Sequence, residues 1–109
     1  MTTFNDREAA FEKKFAHDAE MQFKVEARRN KALGIWAAGL LGKTGDAAEA
    51  YALEVMMADL KEAGDADVLR KVLADLKAAS VEMDEKTLRD RMNAFLAQTK
   101  AQVLEESGD

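Results

Sequence analysis

Residues 33–64, LGIWAAGLLGKTGDAAEAYALEVMMADLKEAG, decide the fold. Two apolar, alanine-rich runs flank the short polar segment Gly42-Lys43-Thr44-Gly45-Asp46. Gly42 stands where the first run ends, at the place where a helix commonly passes into a left-handed residue. Lys43-Thr44-Gly45 reads as a turn. Asp46 followed by Glu49 has the spacing of a capping box, in which each side chain covers a free amide at a helix start. The second run then reads as a helix from about Ala47 to Glu62, stopped by Gly64. Its apolar residues, Tyr51, Leu53, Val55, Met56, Met57 and Leu60 with several alanines, cover most of its circumference. A helix of that kind is expected at the centre of a domain.

Further along the chain the pattern repeats. Asp65 is placed to cap a third helix over residues 66–79, in which Val68, Leu69, Val72, Leu73 and Leu76 recur at spacings of three and four and form one face. Ser80-Val81-Glu82-Met83 connects onward. Asp84 caps a fourth helix, with Met83 and Leu88 positioned as a hydrophobic staple. Leu88, Met92, Phe95, Leu96, Thr99 and Val103 form its inner face, and residues 105–109 should fray. No repeat, low-complexity tract or domain linker interrupts the chain.

Composition agrees. The chain has 109 residues, 48% of them apolar, and no proline. That is enough for one domain with a modest core. Helix formers dominate, and nothing imposes a break. The reading is all-α, a four-helix bundle. Helices this short are marginal alone in water, so packing must hold them. The absence of cysteine excludes disulfides, iron–sulfur clusters and thiolate zinc sites. The N-terminus lacks the pattern of a secretory signal, and the longest apolar stretch, residues 33–42, is too short to span a bilayer. A soluble, cytoplasmic protein with no membrane insertion is expected. Net charge is −5: residues 1–31 carry +1 and residues 32–109 carry −6. An acidic body argues against a nucleic-acid partner, and the cluster Arg28-Arg29-Asn30-Lys31 is too small to reverse that.

The N-terminal end is unusual. Phe4, Phe11, Phe15 and Phe23, four of the five phenylalanines, lie in the first 23 residues among dense mixed charge. Chain ends are poor places to bury aromatics. Asn5 and Glu8 fit a capping box for a first helix. At 100° per residue, Phe4, Phe11, Phe15, Leu33, Trp36 and Leu40 share one stripe. Gln22 and Arg29 fall in the same stripe and interrupt it. The gap suggests two functional halves, residues 5–18 and 20–41, with Phe23 and Trp36 in the body. Three rings on one stripe offer roughly 5–9 kcal/mol on burial, against roughly 2–5 kcal/mol to order a disordered segment. Periodicity leaves the stripe balanced between folding back on the bundle and docking on a partner.

Signals for chemistry are weak. Gly42-Lys43-Thr44 copies the end of a phosphate-binding loop, but that motif needs a glycine at position 37, which is alanine, and a preceding strand. His17, the single histidine, has no nucleophile arranged with it. No Glu-x-x-His motif supports a di-metal bundle site. Trp36, Met56 and Met57 read as core. The chain is not read as an enzyme.

The N-terminal half, FNDREAAFEKKFAHDAEMQFKVEARRNKALGIWAAGLLGKTGDAAEAYALEV, resembles the ζ subunit of alphaproteobacterial F1Fo-ATP synthases. Residues 64–76, GDADVLRKVLADL, resemble the third helix of that family. The resemblance covers nearly the whole chain and is densest over residues 4–55; DRE-x-AFE-x-KFA-x-D followed by ARRNK-x-LG-x-WAA is long and specific. It implies a four-helix protein that inhibits ATP hydrolysis by F1, with a protruding or partly disordered N-terminal segment, residues 1–19, attached to a bundle, residues 20–109. The implied partners are the catalytic α/β interface, which the segment enters as a helix, and the γ stalk, whose rotation it blocks. Phe4, Asp6, Arg7, Glu8, Phe11, Glu12, Lys14 and Phe15 stand at matching positions. There the rings would act as apolar anchors, and Arg7 and Lys14 would pair with carboxylates. No cofactor is required for that role. The family has been associated with weak ATP or ADP binding, and no motif locates such a site. The alternative is a nucleotide-binding bundle acting as a sensor without a mechanical role.

Overall fold

A computed structural model of the chain describes residues 9, 10, 12–15, 18–58 and 65–106. Four long helices account for most of them: α1 (Ala19–Leu40), α2 (Gly45–Ala58), α3 (Ala66–Ala78) and α4 (Glu85–Glu106). Residues 9, 10 and 12–15 are also helical, ahead of α1. The all-α bundle expected from composition and periodicity is the fold observed.

The helix ends follow from local chemistry. Asp18 adopts an extended conformation and accepts a hydrogen bond from the Met21 amide at 3.1 Å, which caps α1. At the other end Gly42 takes φ +78°, the left-handed region that glycine enters without steric penalty. The Lys43 amide then reaches back to the Ala38 carbonyl and the Gly42 amide to the Gly39 carbonyl. Those two bonds satisfy carbonyls that the helix end would leave bare. Ser80 closes α3 in the same way at φ 62°, with the Val81 amide on the Leu76 carbonyl at 2.9 Å. The Asp84 carboxylate accepts the Thr87 amide at 2.7 Å and caps α4, as its position suggested.

Two expected caps differ. α2 begins at Gly45, and the Thr44 carbonyl accepts the Ala47 and Ala48 amides, so Asp46 lies inside the first turn. There its charge faces the positive end of the helix dipole. Asp65 does precede α3, but its side chain makes no cap bond. It is engaged instead by two arginines from other helices.

The main core joins Leu33, Ala37 and Ala38 of α1, Ala48, Tyr51 and Val55 of α2, Val68, Leu69, Val72 and Leu76 of α3, and Leu88 and Met92 of α4. The inner faces expected for α3 and α4 are those that are buried. The central helix is α1, which packs against α2, α4 and α3. This corrects the expectation that the apolar second helix sits at the centre: α2 leaves Leu53 and Met57 more than half exposed. Trp36 is half-buried at the core edge, with Phe95 edge-on at 6.4 Å and the Arg91 guanidinium over its ring. A second, smaller cluster of buried Val25 and Val103 lies where the first part of α1 meets the last turns of α4.

Candidate functional site

The segment before α1 is the candidate site: its sequence gathers rings and charges, and the described Phe15 packs outside the main core. Of its proposed contact residues, Glu12, Lys14 and Phe15 fall among the described positions. Phe4, Asp6, Arg7, Glu8 and Phe11 lie outside them, as does His17. Residues 12–15 form helix, and Asp18 breaks from helical geometry with φ −111° and ψ 100° before α1 starts. Asp18 is thus a non-helical residue at the N-terminal end of α1.

The segment turns one face to the bundle and another to solvent. Glu12, Lys13 and Lys14 are exposed. A shallow hollow of about 540 Å³ lies at the bend, lined by Ala10, Lys13, Lys14, Asp18 and Ala19. Phe15 faces the other way and is half-buried, packed on Val25 and Val103 with Met21, Leu96 and Leu104 around them. The Lys100 ammonium stands 4.5 Å from the centre of its ring and 3.7 Å from the Glu12 carboxylate. The Gln22 amide donates to the Phe15 carbonyl at 2.7 Å. The expected separation of Phe15 from the body is thus corrected. A helical phase carried at 100° per residue does not survive an extended residue at Asp18, so Phe15 is turned onto α4.

Phe23 is corrected in the opposite sense. It was expected in the body and is 65% exposed. Arg29, which looked like a break in the apolar stripe, is instead buried. Its Nε donates to Asn30 Oδ1 at 2.9 Å, and its Nη1 lies 3.6 Å from Asp65 Oδ2. Arg89 Nη1 approaches the same Asp65 oxygen at 2.7 Å. The Arg89 hydrogen bond holds the Asp65 carboxyl below the usual carboxylate range. Glu106 at the end of α4 is held low in the same manner by Arg28, whose two Nη groups reach its oxygens at 2.5 and 2.6 Å. These pairs fasten α1 to the start of α3 and the end of α4, so the segment leaves from a braced platform. No spacing in the chain marked Lys100 or Asp65 for these contacts, because their partners come from distant parts of the sequence.

Gly42-Lys43-Thr44 is the exposed turn that ends α1, preceded by helix rather than strand. Among the described residues no group of acidic or histidine side chains could hold a metal ion. No helix among them is long and apolar enough to cross a membrane.

The family model for ATPase inhibitor subunit zeta matches residues 1–102, a span that takes in the segment as well as the bundle. The chain belongs to this family. One similar solved structure shares the fold. Determined by solution NMR, it is 51% identical, covers 79% of this chain and 98% of its own length, and superposes with a TM-score of 0.68. No curated relative matches the chain. Membership of the zeta family carries the general role of an ATPase inhibitor subunit.

Proposed function

We propose that this chain inhibits ATP hydrolysis by the F1 sector of ATP synthase by inserting residues 1–19 as a helix into a catalytic α/β interface, which blocks rotation of the γ stalk. Residues 20–109 form the bundle that carries the segment. What supports this reading is the family match over residues 1–102 together with the break at Asp18. The break gives the segment its own direction, and the exposed Glu12, Lys13 and Lys14 offer charges to a partner. In this reading Phe4, Phe11 and Phe15 supply apolar anchors. Asp6, Arg7, Glu8, Glu12 and Lys14 set register through ion pairs. A helix that lays its apolar side into a groove gains specificity from such charges.

The experiment is a truncation that removes residues 1–15 and keeps Asp18, so that α1 retains its cap. Full-length and truncated proteins are titrated against F1 from the same organism while hydrolysis is followed. The truncated chain is expected to keep its helical circular dichroism and thermal transition and to lose inhibition. A truncated chain that inhibited as well as the whole protein would remove insertion of the segment as the mechanism.

A further inference from the structure

The contacts around Phe15 carry an inference about regulation, which rests on the inhibitory reading above. We propose that the cleft between α1 and the last turns of α4 is a resting site for the inhibitory segment, with Lys100 as its holding residue. The segment must leave this site to engage its target.

Four observations converge on the cleft. Phe15 packs on Val25 and Val103 in a cluster of its own, apart from the main core. Lys100 serves two groups of the segment at once, the Phe15 ring at 4.5 Å and the Glu12 carboxylate at 3.7 Å. The Gln22 side-chain amide, near the start of α1, donates to the Phe15 carbonyl at 2.7 Å and so satisfies a backbone acceptor. Asp18 supplies the non-helical joint that lets the chain turn back onto α4. Each of these groups belongs either to the segment or to a part of the bundle that the main core does not need.

The strength of the hold suits a latch. The ring is only half-buried, the Glu12 side chain is 55% exposed, and the Lys100 side chain is 27% exposed. Exposed ion pairs and cation–π contacts are individually weak. A docked population lowers apparent affinity for the target in proportion to the fraction that is undocked. The same Phe15 and Glu12 that rest on the bundle are counted among the target contacts, so the two states are mutually exclusive. Contacts of this size correspond to a release that strengthens inhibition by about 3- to 10-fold.

The test uses the full chain with Lys100→Glu, which repels Glu12 and removes the cation from the ring, and Lys100→Met, which keeps the aliphatic stem and removes only the charge. Lys100→Arg serves as the conservative control. Two readouts are taken on each protein: hydrogen exchange of the amides of residues 12–15 in the free chain, and the concentration that half-inhibits F1 hydrolysis. The latch predicts slowed exchange in the parent and in Lys100→Arg, faster exchange in the other two, and a half-inhibitory concentration lowered by about 3- to 10-fold in those two. Unprotected amides in the parent would overturn the resting site. Weaker inhibition after release would overturn the latch and make the contact one that aims the segment. If the parent failed to inhibit F1 at all, the inhibitory reading would fall, while the exchange data would still report on the docked state.

Discussion

Gly34 of α1 lies directly against Ala52 of α2. A Cβ at position 34 would stand 2.6 Å from the Ala52 Cα and 3.1 Å from its Cβ. The obstacle is backbone, which cannot rotate aside, so the absence of a side chain sets how closely the two helices approach. Gly34→Ala is expected to destabilise the protein by about 1–3 kcal/mol through overpacking. Gly39, in the same helix, has nothing within 4 Å of its Cβ position. Gly39→Ala should therefore stabilise by up to about 1 kcal/mol through helix propensity alone. Urea denaturation of both variants checks the pair. Equal and small effects would show that α1 and α2 are not packed at this distance.

Ser80 offers a second backbone test. It holds φ 62° to let the Val81 amide reach the Leu76 carbonyl, and Val81 packs on the main core. A non-glycine residue is strained in this region by roughly 1–2 kcal/mol, and part of the relief is offset by the greater freedom of glycine in the unfolded chain. Ser80→Gly is expected to raise stability by about 0.5–1 kcal/mol. A melting temperature unchanged or lowered would count against the left-handed turn.

The parts of this fold that were legible in the sequence are those decided locally. Asp84 and Gly42 stand at helix ends because a carboxylate can bind a free amide and glycine can turn left, and neither requires knowledge of a neighbour. The single faces of α3 and α4 were legible because each presents one side to the rest. For α1 the same method misplaced Phe23 and Arg29. That helix meets three others along its length, so the buried side is not one stripe. Arg29 is tolerated inside because Asn30 and Asp65 approach it, the second from a distant part of the chain. The packing of Phe15 on Val25 and Val103 was not legible, because the extended Asp18 resets the helical phase on which the stripe depended.

Asp65 is expected to link stability to acid. Its carboxylate lies between Arg89 at 2.7 Å and buried Arg29 at 3.6 Å, and the Arg89 hydrogen bond is the largest cause of its lowered proton affinity. A carboxyl depressed in the folded state contributes stability above its unfolded pKa of about 3.9 and loses it as pH falls through the folded value. Asp65→Asn should cost about 1–3 kcal/mol at neutral pH. That figure is reduced from a fully buried pair because Asp65 is one-third exposed. The variant should also lose less stability than the parent between pH 5 and pH 2, roughly the range over which such a group takes up its proton. Parallel acid limbs for the two proteins would show that Asp65 is not a linkage site.

Tyr51, the chain's single tyrosine, reports on the contact between α2 and α3. Its hydroxyl donates to Asp75 Oδ2 at 2.9 Å, and Lys71 binds the same oxygen at 3.0 Å. Burial is the main reason its phenol ionises well above the ordinary range, and the neighbouring carboxylates of Asp75 and Glu54 push it the same way. Because the folded value lies above the unfolded value of about 10, the contribution is complete below pH 10 and is lost as pH rises beyond it. The phenolate absorbance at 295 nm should therefore appear only together with loss of the helical signal. Tyr51→Phe should lower stability by about 1 kcal/mol at pH 7, since it removes one hydrogen bond to a carboxylate that keeps Lys71 as a partner. It should also remove the part of the alkaline sensitivity that comes from this phenol. A phenolate forming near pH 10 in a protein whose helices remain intact would show that Tyr51 is open to water and that α2 and α3 do not close over it.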